Sequence, residues 1–222
     1  MNSSIFNKTK LYCQQCGIAD IETFIDRCNI LRDLLISENA KYNLTRISSN
    51  DDFWNKHIAD SLSIALIYPE LRNSALAVMD VGCGAGFPSL VLGIAFPQLS
   101  ITAVDSIQKK TNFVTLAADR LQITDFGVIW GRARELKIEK KYDFITARAV
   151  AEPIKIFKET RKFLADNGKI VIFKTSQTDF SVIDTLDKLT SKQKISWYKS
   201  EETLLPGGEK RIFLHAQKIN KV

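Results

Sequence analysis

Between residues 77 and 86 the chain reads Ala-Val-Met-Asp-Val-Gly-Cys-Gly-Ala-Gly, an apolar run that passes Asp80 and breaks into three alternating glycines. Such a run is a strand ending in a tight turn. Glycine admits φ > 0 and carries no Cβ to hold a ligand away from main-chain N–H groups. Pro88 follows, suited to a first helical position, and a second apolar run, Ile101 to Val104, closes on Asp105. Strand, glycine turn, helix, strand and terminal acid form the pattern of a site for an adenosine-bearing ligand. Asp105 stands 23 positions beyond Gly82, where a strand-end carboxylate reaches both ribose hydroxyls.

The spacing separates two classes of ligand. In the dinucleotide fingerprint G-x-G-x-x-G the third glycine would fall at the place of Phe87. A phenylalanine obstructs the close helix–strand packing and the pyrophosphate, while an aromatic wall suits a cofactor without phosphate. The expected cofactor is S-adenosylmethionine, with its carboxylate near the helix N-terminus. Gly82, Gly84, Gly86, Phe87 and Asp105 are its expected binding residues. A nicotinamide-dependent oxidoreductase is the competing enzyme class, disfavoured by Phe87. Cys83 reads as a small buried residue of the turn.

The chain has 222 residues, 45% hydrophobic and 25% charged, enough for one main domain and an appendage. Met1 to Lys8 lack the apolar core of a signal peptide, and Leu90 to Phe96 is too short to span a bilayer. A cytoplasmic, monomeric protein with no membrane and no DNA partner is expected. Cys13 and Cys16 have the spacing of half a metal site, but no second pair or nearby histidine completes it. Helix packing or a surface pair is the better reading, and no metal is expected. The net charge of +6 suits a polyanion such as RNA, although charge alone fits a solvated basic surface equally well.

The chain divides near residue 74 into an N-terminal helical cap (1–73) and a main domain (74–222). In the cap, Ile21, Phe24, Ile25, Cys28, Leu31 and Leu35 recur at helical spacing. Trp54, Ile58, Leu62, Ala65 and Leu66 do the same after the capping candidates Ser48 to Asp51. Tyr42 to Ile47 reads as the link between them. Downstream, strands are predicted at 77–81, 100–104, 126–130, 142–147 and 169–174, and helices at 88–96, 107–121 and 153–164. Asn167-Gly168 is read as the stop of the last of these helices. A helix near 179–189 leads to strands near 194–200 and 210–218, joined by the turn signal Leu205-Pro-Gly-Gly-Glu. The alternation predicts an α/β fold with a mostly parallel, Rossmann-like sheet and an antiparallel edge strand.

The glycine turn, Asp105 and the closing hairpin resemble the class I S-adenosylmethionine-dependent methyltransferase fold. Within it, the chain is similar to the bacterial small-subunit ribosomal RNA guanine-N7 methyltransferases, also called glucose-inhibited division protein B. The resemblance rests on Tyr42-Asn-Leu-Thr-Arg46, Lys56-His-Ile-Ala-Asp-Ser-Leu62, Asp80 to Pro88, Val104 to Val114, Gly131-Arg-Ala-Arg-Glu135, Thr146-Ala-Arg-Ala-Val-Ala151 and Leu205 to Arg211. It implies methyl transfer from S-adenosylmethionine to a guanine N7 of 16S rRNA, in the 530 loop. It also implies that Ala133 and Arg134 meet the adenine through the backbone, and that Arg148 stands at the mouth of the site, where it too is expected to bind the cofactor. This chain carries Arg134 where the family usually has an acid, Ser89 for a common glycine, and Thr175 where glycine is usual. A methyltransferase acting on another RNA, a small molecule or a protein, and a non-catalytic RNA-binding module, are the remaining alternatives.

Guanine N7 has an in-plane lone pair and needs no deprotonation, so such a reaction rests on alignment rather than acid–base chemistry. No residue is expected to be catalytic in the acid–base sense. Arg148, Asp60 and His57 are positioning candidates, each with a packing or ion-pair role as its bland alternative. Arg46, Arg148 and Lys174 are candidates for substrate binding, and Lys109 and Lys110 for a solvated helix face or phosphate contact. No Asn/Asp-Pro-Pro-aromatic segment follows the fourth predicted strand, which argues against exocyclic amino methylation. No cysteine lies near that strand or the next, which argues against covalent attack at a pyrimidine.

Overall fold

Strands form where the apolar runs are bounded by turn residues and acids. The computed structural model describes residues 4–46, 49–148 and 152–218. Its strands are β1 (Ala77–Val81), β2 (Ser100–Asp105), β3 (Phe126–Trp130), β4 (Tyr142–Arg148), β5 (Leu164–Thr175), β6 (Ile195–Lys199), β7 (Thr203–Leu204) and β8 (Lys210–Lys218). They make one sheet in the order β3-β2-β1-β4-β5-β8-β6, with β7 paired to β8. The first five strands pair in parallel. β8 runs antiparallel to both β5 and β6, and inserts between them.

Side chains alternate across the sheet, so both faces are buried. Val78, Phe144, Val171, Phe173 and Phe213 join one core, and Met79, Ile145, Ile170, Ile172 and Leu214 the other. Helices α8 (Pro153–Thr160) and α9 (Val182–Thr190) cover the second face. On the first face lie α6 (Ser89–Ala95) and α7 (Gln108–Arg120). The N-terminal segment completes that layer: Tyr68 packs edge-on against Phe144 and His215. Its hydrophobic residues belong to the same continuous core as β1 and β8.

That segment contains α1 (Ser4–Gln15), for which the sequence reading assigned no element, and α2 (Ile21–Tyr42). Asp20 caps α2 by accepting from the Thr23 N–H, and Asn43 ends it in the left-handed conformation. Arg27 donates to the Leu121 carbonyl at 2.7 Å, placing a cation at the C-terminus of α7. Cys13, Cys16 and Cys28 are fully buried between these helices, and burial raises all three thiol pKa values.

The next helical run is not uniform. α3 (Asn50–Asp52), capped by Ser49, passes into a π-helical stretch at Phe53–Ala59, then α4 (Asp60–Leu62) and α5 (Ile64–Ile67). An α-helical spacing of Trp54, Ile58 and Leu62 does not foresee this, because the π turn adds a residue to the repeat. Two further boundaries differ from expectation. α8 ends at Thr160, and Asn167-Gly168 lies inside β5, beside the register shift at Tyr142/Phe144. Pairing of Tyr142 with Leu164 draws the chain into the sheet before the local stop signal. Pro88 stands as the N-cap of α6 rather than its first residue. Ile47, Ser48 and Ala149-Val150-Ala151 fall outside the described residues.

Candidate functional site

The chain leaves β1 for β2 on one side of the sheet and returns to β4 on the other. At this switch point the strand C-termini diverge and leave a crevice. A cavity of about 1160 Å³ opens there. Its wall includes Gly82, Gly84 and Phe87 after β1, Asp105 at the end of β2, Ala133 and Arg134 after β3, Arg148 at the end of β4 and Lys174 at the end of β5. Arg46, His57 and Asp60 reach it from the N-terminal segment.

Asp105 organises the glycine turn. Gly84 N–H donates to its Oδ2 at 2.9 Å, and Ile107 N–H, at the start of α7, donates to Oδ1 at 2.9 Å. Each carboxylate oxygen keeps a second lone pair, enough for two vicinal hydroxyls. Asp105 thus anchors the start of α7 and stands in the cavity wall at once. A Cβ built on Gly84 (φ +59°) meets nothing within 4 Å, so the open space beside it faces the cavity. This cradle fits the adenosyl end of S-adenosylmethionine.

Gly86 is different. It is not in the cavity wall, and a Cβ there would stand 2.4 Å from Leu90 Cδ1 at φ +84°. Its absent side chain serves packing of the turn on α6 rather than the ligand face expected of it. Gly86→Ala is therefore expected to destabilise the fold by about 1–3 kcal/mol in urea melts and to spare cofactor affinity per folded molecule. Gly84→Ala meets no neighbouring atom but also sets a side chain at φ +59°, so it should cost about 1–2 kcal/mol and, unlike Gly86→Ala, also weaken binding measured by calorimetry.

The turn after β3, expected to meet the adenine, is held through its main chain. Ala133 is buried, and the Arg134 and Leu136 carbonyls both accept from Lys162 Nζ, at 2.9 and 2.8 Å. Arg134 turns its guanidinium toward Glu135 at 3.2 Å, so the departure from an acid at this position is carried by an exposed side-chain pair.

The π-helical stretch builds the opposite wall. His57 stacks on Phe87, with ring centroids 3.9 Å apart and planes within 11°. Arg148 donates through Nη1 to the Lys56 carbonyl at 2.8 Å and to Asp60 Oδ2 at 3.1 Å. Its Nη2 lies 3.4 Å from His57 Nδ1. A guanidinium only donates, so Nδ1 accepts and the ring proton sits on Nε2, 3.4 Å from Thr45 Oγ1. Asp60, buried at 2% exposure, also accepts from Arg211 Nε, while Arg211 Nη1 donates to the Lys174 carbonyl at 2.7 Å. One carboxylate thereby joins two arginines from different strands, and the ion-pair alternative for Arg148 is realised on the cavity wall.

Three participants carried no role in the sequence reading: Arg211, Asn55 and Glu209. Asn55 accepts from Gly207 N–H at 2.7 Å and donates to Glu209 Oε2 at 2.6 Å, tying the cap to the turn before β8. Their signal was an amide between two apolar core positions, Trp54 and Ile58, and a glycine turn followed by charges.

Titration follows burial. Burial, reinforced by Arg148, pushes the His57 pKa down to about 3; burial and then Lys169 push that of His215 to about 4. Both rings are neutral at pH 7. Burial raises Asp80 to about 6, against hydrogen bonds from Ser89 and Thr146 that lower it. The unfolded chain binds protons at the two histidines from about pH 6.5 downward, and the folded chain does not. Stability should therefore fall as pH drops from 6.5 toward 4. Proton uptake by folded Asp80 below pH 6 offsets roughly one of the two. Urea midpoints at pH 7.5 and pH 5 measure this; a midpoint that is level or higher at pH 5 contradicts it.

The comparisons agree with this geometry. The family profile for rRNA small subunit methyltransferase G matches residues 25–203. Proteins named Ribosomal RNA small subunit methyltransferase G are similar over much of the chain. That of Mesoplasma florum is 35% identical over 87% of this chain and 84% of its own length. That of Leuconostoc citreum is 32% identical over 92% and 87%. For the Lacticaseibacillus paracasei protein the identity is 42% over 67% of this chain, which spans 63% of that relative. Among solved structures, the YcgJ protein of Bacillus subtilis superposes with a TM-score of 0.56 at 14% identity, over 72% of this chain and 99% of its own. TYW2 of M. jannaschii in complex with AdoMet does so with 0.53 at 15% identity, over 67% and 71%. These likenesses establish the fold, a class I S-adenosylmethionine-dependent methyltransferase fold. By profile and by sequence identity, the chain belongs to the rRNA small subunit methyltransferase G family.

Proposed function

We propose that this protein transfers a methyl group from S-adenosylmethionine to N7 of a guanine in 16S rRNA, in the 530 loop, acting as a cytoplasmic monomer. The observation that carries an RNA substrate is where the charge lies. Ten Lys and Arg side chains line the cavity against four Asp and Glu, an excess equal to the whole net charge of +6. The remainder of the chain is balanced, so the field that attracts a polyanion is focused on the mouth of the site. Among the described residues no helix is long and apolar enough to cross a membrane.

The cofactor supplies an activated methyl on a sulfonium centre. Asp105 holds the ribose, Gly82 and Gly84 allow close backbone approach, and the Ala133–Glu135 turn faces the adenine. Phe87, backed by His57, closes the methionine side. No wall residue needs to remove a proton. Buried and neutral, His57 is too weak a base at pH 7 to do so, and it adds no cation where the guanine ring becomes positive. Arg148 and Arg211, half neutralised by Asp60, orient the target nucleotide by donating to its phosphate or O6 edge. Lys174 and Arg46 meet the neighbouring backbone.

Mapping 7-methylguanosine in 16S rRNA from cells with and without this protein tests the reading, alongside transfer of labelled methyl to deproteinised 16S rRNA and to 30S particles. One protein-dependent 7-methylguanosine is expected. Absence of that nucleoside overturns it.

A further inference from the structure

Trp130, the last residue of β3, is 60% exposed, the largest apolar side chain so exposed among the described residues. Such exposure costs rather than stabilises, and the described residues leave most of the side chain uncovered. It is nevertheless held: the indole N–H donates to the Ser106 carbonyl at 3.1 Å. Trp130 pairs in register with Asp105, so the ring sits beside the cofactor cradle, on the edge strand of the sheet. The next residues, Gly131 to Arg134, line the cavity, but Trp130 does not. A ligand confined to the cavity leaves the indole bare. A polymer that enters across this rim covers it.

The surroundings select the kind of polymer. Lys109 and Arg132 are exposed near the ring's two anchoring segments, Lys110 is half-buried, and Ile107 is 42% exposed. Isolated apolar side chains among cations do not make the contiguous patch that a protein partner needs. An exposed aromatic ring on segments that carry cations within two or three residues of its anchors is instead the pattern that single-stranded nucleic acid takes, bases stacking while phosphates pair.

We propose that Trp130 is a stacking platform for an unpaired RNA base next to the target guanine. The inference rests on the rRNA reading above. A guanine reaching the cavity must leave its stack, and its neighbour then loses a stacking partner that the indole replaces.

The experiment uses the whole protein loaded with S-adenosylhomocysteine. Trp54 and Trp197 are 1% and 3% exposed, so acrylamide quenching reports Trp130. Deproteinised 16S rRNA, at concentrations saturating by filter binding, is expected to lower the quenching constant severalfold. In methyl-transfer kinetics, on whichever of 16S rRNA or 30S particles the parent protein methylates, Trp130→Ala should raise KM roughly 5- to 20-fold. kcat should stay within about twofold, and Trp130→Phe should recover most of the loss. S-adenosylhomocysteine affinity should not change. A Trp130→Ala protein with the parent's KM, or an indole left accessible in saturating RNA, overturns the stacking role alone. A parallel loss of S-adenosylhomocysteine affinity also overturns it, assigning the ring to the adenine. A parent protein inactive on both RNAs removes the rRNA reading, and this inference with it.

Discussion

Asp105→Ala is expected to weaken S-adenosylhomocysteine binding about 100-fold, measured by calorimetry, in a protein that still unfolds cooperatively. Hydrogen bonds to an ionised acceptor contribute about 1.5–3 kcal/mol each, and the carboxylate has one free lone pair per oxygen for the ribose. The same substitution frees the Gly84 and Ile107 N–H groups. Both border the cavity, where water replaces the lost acceptor, so the stability cost should stay near 1 kcal/mol. Asp105→Asn keeps the volume but can accept through only one atom, and should fall between parent and alanine variant. Unchanged affinity in the alanine variant removes Asp105 from the ribose site.

Asp60→Ala should act on the fold as strongly as on the reaction. Asp60 is 3% exposed as a side chain, and its partners Arg148 and Arg211 are 19% and 15% exposed. Breaking a buried pair from one side costs about 3–5 kcal/mol, because the remaining charge is left without compensation. In a chain of this size the melting temperature should drop by roughly 10 °C. Methyl transfer should fall at least about tenfold at temperatures where the variant is folded, since both arginines lose their common anchor. A triple variant, Asp60→Ala with Arg148→Met and Arg211→Met, separates the two effects. It should regain much of the melting temperature, as apolar replacement of a buried ionic cluster often does, without regaining activity. A melting temperature unchanged in Asp60→Ala would show that the cluster contributes nothing to stability.

The parts of the site legible in the sequence are those with a local cause. The strand, glycine turn and acid occupy one βαβ unit, whose spacing already implied the cradle. Gly86 shows where this stops. Its φ of +84° follows from the turn, but that its face meets Leu90 rather than ligand depends on how α6 packs. Arg148 was legible as a strand-end cation, yet its partners on the π-helical stretch were not. Asn55 was hidden altogether, since an amide inside an apolar repeat gives no sign of the turn it will bind 152 residues later.

By itself the sequence determined the parallel sheet, the fold class and the glycine turn with its strand-end acid. Apolar periodicity, glycine at positive φ and a carboxylate at a strand end act over a few residues and are decided before distant segments meet. Only the tertiary structure decided the second wall. Asp60 is joined to arginines 88 and 151 positions away, and that pairing exists only because burial of the N-terminal helices against the sheet strips water from all three charges at once.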